Sequence, residues 1–301
     1  MYLTKSPRMK PDDRQFQVTS MCELLPWLLG PPLHLSRKEA KDLLRYRSVH
    51  VQNRPTVRHD TVLEAGDVVT IAQRKPTPNA AQEHLGLKIV HLDDALVVID
   101  KPAGLLSMGS DREKEKTAHR ILNDYLKALT KSRQQQAFIV HRLDRETSGL
   151  MLFARSLAIQ AALQANWKRV TKKYLAVVEG VPSTSDGTLT DRLVETKSML
   201  VHRVDQGGEI AITHFRVIGS RDGLALLELT LDTGRKHQIR VQLASLGCPV
   251  VGDRKYGART DPARRLALHS CELRLTHPVS GTQMEFRSAL PGRLRKLIAK
   301  N

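Results

Sequence analysis

The sequence predicts an α+β fold in two unequal domains, and three observations carry that expectation. A chain of 301 residues is long enough to bury one sizeable core and to leave room for a smaller companion. Residues 74–83 include Pro76 and Pro78 and very few apolar side chains, the composition of a linker. A capped amphipathic segment precedes it at Ser36–Arg45, and alternating apolar and polar residues follow it over 188–232, as in an antiparallel sheet. The expected boundaries are a flexible lead-in at 1–18, a small domain at 19–73, the linker at 74–83 and a large domain at 84–301.

Charge narrows the function. With 48 Lys and Arg against 31 Asp and Glu, the formal charge is +17, enough to attract a polyanion and make its binding salt-sensitive. RNA, DNA and an anionic membrane all fit that description. No apolar run approaches the roughly 20 residues of a membrane span, and residues 1–14 lack the apolar segment of a secretory signal, so a soluble cytoplasmic protein is expected. Cys22, Cys248 and Cys271 are far apart, and the histidines form no HExxH or clustered pattern, so neither a disulfide framework nor a metal is assigned.

Taken in order, residues 1–18 are polar and carry Pro7 and Pro11. An apolar helix around Leu24–Leu29 is broken by Gly-Pro-Pro at 30–32. Ser36 and Glu39 have the spacing of a capping box that opens the next helix. On that helix Arg37, Lys41 and Arg45 recur every four residues as a positive stripe, opposite Ala40, Leu43 and Leu44. Val49 and Val51 alternate as a strand, Asn53 supplies a turn, and VVTIA after Gly66 and Asp67 closes the unit.

Beyond the linker, LKIVHLDDALVVIDKPAGLL reads as two strands joined at Asp93 and Asp94, then a loop bearing Lys101. A helix near 117–130 leads to the segment HRLDRETSG at 141–149 and an apolar strand from Leu150. A helix from Ser156 to Arg169 and a strand in KKYLAVVEG come next. After the alternating stretch, TGRKHQIRVQLASLG predicts a helix packed through Ile239, Leu243 and Leu246, with His237 and Arg240 on a neighbouring face and Gly247 as terminator. A hairpin and a basic helix end the chain.

Asp144 is the candidate for chemistry. Arg142 and Arg145 flank it, and nearby positive charge favours an ionised carboxylate, suited to a nucleophilic or electrostatic role. A surface ion pair is the alternative. Thr147, Ser148 and Gly149 form a tight turn that delivers Asp144 to a cleft, anchored by the strand that follows.

HRLDRETSG closely resembles the HRLDxxTSG motif of the RluA-type pseudouridine synthases, KYLAVVEG their KxYxAxVxG segment, and TGRKHQIRVQL their TGRxHQIRxxL stretch. Residues 36–72 resemble an S4 RNA-binding domain. The resemblance implies a mainly antiparallel mixed sheet with flanking helices and the isomerisation of uridine in RNA, without cofactor or metal. It implies Asp144 as catalytic residue, Tyr174 stacked on the flipped base, Arg240 paired with Asp144, and Arg142 bracing the vacated position. Lys101, Arg235 and His237, with Arg37, Lys41 and Arg45 of the S4-like helix, would serve RNA binding. Departures are Ser48 for Gly, Gln52-Asn53 for Asn-Gly, Ser107-Met108 for His-Pro, Lys236 for Thr, and Gln242 for His, the last two expected to alter RNA contacts. The implied substrate is large-subunit ribosomal RNA and the implied state a monomer. A non-catalytic RNA-binding protein of ribosome assembly and an N-glycosidic hydrolase are the rival readings.

Overall fold

The computed structural model describes residues 14–45, 48–52, 54–56, 58–71, 87–109, 117–130, 136–196 and 200–299. The expected linker at 74–83, the turn residue Asn53 and the side chain of Arg45 lie outside the described residues. The chain divides into two compact units, Met1–Gly86 and Leu87–Asn301.

The first unit contains strands β1 (Arg14–Gln17), β2 (Cys22–Glu23), β3 (Val49–Val51), β4 (Arg54–Pro55), β5 (Val62–Leu63) and β6 (Val68–Ile71), with helices α1 (Leu24–Leu29) and α2 (Arg37–Arg45). A four-stranded sheet runs β1-β6-β3-β4, and β2 pairs with β5. Leu24, Leu28, Ala40, Leu44, Val49, Leu63 and Val69 form the core. The capping box is made: the Ser36 amide and hydroxyl donate to Glu39 Oε2, and the Glu39 amide donates to Ser36 Oγ. Strand β1 corrects the expected lead-in, since Arg14–Gln17 pairs with β6 and Phe16 packs on the core. One apolar residue in RQFQ is too little alternation to mark a strand. The left-handed turn residue is Gln52, at φ 49°, whose amide donates to Asp67 Oδ1 at 2.8 Å.

The second unit holds β7 (Lys88–Leu92), β8 (Leu96–Lys101), β9 (Phe138–Ile139), β10 (Ser148–Ala154), β11 (Thr171–Glu179), β12 (Asp186–Glu195), β13 (Val201–Val204), β14 (Glu209–Arg221), β15 (Leu224–Leu231), β16 (Leu268–Thr276) and β17 (Gln283–Arg287). These form one sheet of order β13-β12-β14-β15-β11-β16-β10-β8-β7, with β17 added to β16 and β9 to β10. Every pairing is antiparallel except β10 with β16. The helices are α3 (Ala118–Thr130), α4 (Leu157–Ala165), α5 (Gln238–Ser245) and α6 (Gly292–Arg295).

Strand β10 is buried at every position, which explains why its sequence is a continuous apolar run rather than an alternating one. Leu150 and Leu152 pack with Leu96, Val98, Leu273 and Phe286. Gly149 is required where β10 meets β16: it lies at φ 114°, and a Cβ there would come 2.1 Å from the carbonyl oxygen of Ser270. Helix α4 is shorter than expected, capped by Ser156 Oγ on the Ile159 amide and stopped at Asn166, after which Trp167–Arg169 form a 3-10 turn. Helix α5 differs more. It begins at Gln238 rather than with the TGRKH segment, and Gln238 through Leu243 are all buried, so it has no single packed face.

Candidate active site

Asp144 sits in the loop that leads into β10, and Lys101 at the end of β8 with the loop 102–107 that follows holds it there. Lys101 Nζ donates to the carbonyls of Pro102, Leu105 and Arg145 at 3.0, 2.7 and 3.1 Å. Ser107 Oγ donates to the Leu143 carbonyl at 2.6 Å and accepts from the Leu143 amide. The Gly104 amide donates to the Arg145 carbonyl, and Arg145 Nε returns a bond to the Gly104 carbonyl. The main chain on both sides of Asp144 is therefore fixed. His141 anchors the start of the loop: its Nε2 accepts the Leu152 amide at 2.9 Å and its ring stacks on Trp167. Burial, reinforced by the nearby Lys172, lowers the His141 pKa to about 3, so the ring is a neutral acceptor at pH 7.

Facing this loop is the start of α5. Arg240 Nη1 lies 3.5 Å from Asp144 Oδ2, as the motif resemblance implied. The guanidinium is held more firmly elsewhere, by two bonds to Asp253, Nε to Oδ2 at 2.6 Å and Nη2 to Oδ1 at 2.7 Å. Burial disfavours the charge on Arg240, but the bonds and charge of Asp253 outweigh it and raise its pKa. The Asp253 side chain is 1 % exposed, against 21 % for Asp144. The Tyr256 ring lies 5.0 Å from the same guanidinium. Sequence reasoning missed Asp253. Its segment, Gly252-Asp253, looks like an ordinary turn, yet Gly252 lies at φ 81°, where a Cβ would come 2.4 Å from the Arg265 carbonyl oxygen.

His237 precedes α5 in a left-handed conformation, φ 53° and ψ 15°. Its Nε2 is 3.9 Å from Asp144 Oδ2, and its Nδ1 is 2.7 Å from Tyr256 Oη. Among the contacts of the Asp144 carboxylate are the Arg240 guanidinium and the His237 imidazole, both from a remote segment. The expected sequence neighbour Arg145 instead directs Nε to the Gly104 carbonyl. Gln238 pins this loop with its whole amide: Oε1 accepts from Thr233 Oγ1 and the Arg235 amide, while Nε2 donates to the Ile212 carbonyl and Thr213 Oγ1.

Arg142, Asp144, Tyr174, Arg235, His237 and Arg240 line one pocket. Tyr174 is buried, and that burial raises the pKa of its phenol. Arg142 and Arg235 are exposed at its rim, Arg235 beside Glu209. One expectation needs correction. Lys101 is fully buried with its ammonium on three carbonyls, so it braces the Asp144 loop and cannot meet RNA. Gln242 is buried too, spending its amide on Thr213, Leu189, Asp191 and Ala211. Lys236, the other substitution, pairs with Glu195. Arg37 and Lys41 are exposed on α2 in the first unit. Among the described residues no cluster of His, Cys, Asp or Glu could hold a metal ion, and no helix is long and apolar enough to cross a membrane.

Residues 95–245 match the family model described as RNA pseudouridylate synthase, a span that contains Asp144, Tyr174 and Arg240. The chain belongs to that family. This synthase is 31 % identical over 280 residues to the uncharacterized RNA pseudouridine synthase YhcT of Bacillus subtilis, covering 90 % of this chain and 92 % of the relative. It is 30 % identical over 312 residues to ribosomal large subunit pseudouridine synthase D of Haemophilus influenzae, covering 94 % of each. Among solved structures, human RNA pseudouridylate synthase domain containing 4 matches the synthase with 29 % identity and a TM-score of 0.59, covering 72 % of this chain and 95 % of the other. The activity is the isomerisation of uridine in RNA to pseudouridine.

Proposed function

We propose that this synthase modifies a uridine of large-subunit ribosomal RNA, with Asp144 acting on the ribose of an extruded nucleotide. The observation that carries the reading is the convergence of Asp144, Tyr174 and Arg240, far apart in sequence, on one pocket. The relatives named for the large ribosomal subunit, in Haemophilus influenzae and Yersinia pestis, support the choice of RNA.

The reaction breaks the bond from C1′ to N1, turns the uracil and joins C1′ to C5. A proton leaves C5 and one arrives at N1, so the change is redox-neutral and calls for no electron carrier. Asp144 serves as nucleophile or base at the sugar. Arg240, fixed by Asp253, orients it. Tyr174 offers its ring to the extruded base, whose unstacking costs a few kcal/mol that stacking and phosphate contacts must offset. Arg142 at the rim braces the position the base vacates, and Arg235 contacts the backbone. The first unit acts as an S4-like RNA anchor through Arg37 and Lys41 of α2, with the domain boundary in the linker. The protein would act as a monomer, and bacterial ribosomal relatives suit the cytoplasm.

The test is to map pseudouridine across total RNA from cells with and without the gene. Loss of a signal at one or a few uridines of the large-subunit RNA is expected. Unchanged ribosomal RNA with signals lost only from transfer or messenger RNA would overturn the substrate assignment.

A further inference from the structure

His237 is the residue of the pocket whose chemistry the reaction outlined above leaves unused, and its geometry is costly. A non-glycine residue at φ 53° is uncommon, and such strain gathers where a side chain must be aimed. Here the left-handed backbone turns the imidazole between two groups, Tyr256 Oη on one side and Asp144 Oδ2 on the other.

The surroundings of the ring favour a proton on Nε2. Tyr256 Oη already accepts the Val201 amide at 3.1 Å, so its own hydroxyl proton is free to donate to His237 Nδ1 at 2.7 Å. The proton of the neutral imidazole is then on Nε2, where it faces a carboxylate instead of setting a lone pair against one. Burial, with Arg240, Lys255 and Lys236 adding to it and Asp144 opposing, lowers the His237 pKa to about 4. The ring is neutral at physiological pH, and the tautomer with Nε2–H is the one that sets a donor against the carboxylate.

Nε2–H and Asp144 Oδ2 face each other across 3.9 Å, too far for a hydrogen bond between them but close enough for one small group to touch both. That group must accept from the imidazole and donate to the carboxylate. In a uridine within an RNA chain the uracil carbonyls only accept, N3–H only donates, and the 3′ and 5′ oxygens are esterified. The ribose 2′-hydroxyl does both.

We propose that His237 and Asp144 together read the 2′-hydroxyl of the target nucleotide, with His237 Nε2–H as donor and Tyr256 as the positioning residue that fixes its tautomer. His237 is thereby a specificity-determining residue that favours a ribonucleotide over a deoxyribonucleotide at the reacting position. This inference rests on the functional reading above.

The test uses a stem-loop RNA built around the mapped uridine. Turnover of this RNA by the parent protein is measured first. Affinity is then compared for two non-reacting versions of the same stem-loop, one carrying pseudouridine and one carrying 2′-deoxypseudouridine at the target. The parent should prefer the ribose form by roughly tenfold, the worth of one or two hydrogen bonds. His237→Phe, which keeps a ring but has no donor, should cut that preference several-fold. Tyr256→Phe, which keeps the ring beside Arg240, should cut it less, so the inference remains testable if either variant folds poorly. Equal weakening of both RNAs by His237→Phe, with the preference intact, would overturn the inference while leaving the functional reading standing. Absence of pseudouridine formation by the parent on the uridine stem-loop would overturn the functional reading, and this inference with it.

Discussion

The loop that carries Asp144 and the loop that carries Arg240 meet in one pocket, but they are held by different means. Around Asp144 the ties run to the main chain: Lys101 and Ser107 bond the carbonyls and amide of residues 143 and 145. Around Arg240 the ties run to the side chains: Gln238 is bonded at both ends of its amide, and Arg240 is gripped by Asp253. The difference shows in the two carboxylates that share Arg240. Asp253 is buried and bidentate, whereas Asp144 is partly exposed and meets one nitrogen at 3.5 Å. A carboxylate that must act on a substrate keeps its oxygens available, while one that only holds a cation spends them.

The contrast can be broken at several points. Arg240→Leu should have the largest effect, because it strands Asp253 as a buried unpaired charge. About 3–5 kcal/mol of stability should be lost in denaturant titration, together with turnover. A loss under 1 kcal/mol would mean that Asp253 is not held as described. Gln238→Leu should cost about 2–3 kcal/mol, since Thr233, Thr213 and the Arg235 amide lose buried partners. Ser107→Ala should cost less, about 1–2 kcal/mol, because Lys101 still clamps the neighbouring carbonyl. If Ser107→Ala proves more damaging than Gln238→Leu, the proposed division between backbone and side-chain ties is wrong.

At neutral pH the smallest effect is that of His141, whose pH dependence emerges only in acid. His141 has a folded pKa depressed to about 3 from the usual 6.5, so the unfolded chain binds more protons between those values. Its contribution is fully present above pH 6.5 and declines as pH falls toward 3, by about 1–2 kcal/mol at pH 5. His141→Gln offers the Leu152 amide an acceptor that does not titrate. The variant should therefore show a flatter fall of stability with acid than the parent, and parallel curves would remove His141 from the account.

Much of this arrangement was legible beforehand. The capping box placed α2, alternation over 188–232 placed β12 to β15, and motif resemblance singled out Asp144, Tyr174 and Arg240, which line one pocket. Other features were not legible, for one physical reason. Lys101, Gln238, Gln242 and Asp253 are polar residues that burial makes structural, and their partners lie up to 53 residues away, as Leu189 does from Gln242. Periodicity reports which positions are apolar, not which polar groups will find partners in the core. The same blindness made α5 look amphipathic when its first six residues are all buried.

The most direct test of the central claim is Asp144→Asn. The amide keeps the shape of the side chain while removing its charge and nucleophilicity, and the loop is held by bonds that do not involve that side chain. Purified variant and parent would be compared for affinity and for pseudouridine formation on the same stem-loop RNA. The account predicts unchanged folding, near-parent affinity and no detectable product, whereas turnover near the parent rate would contradict it.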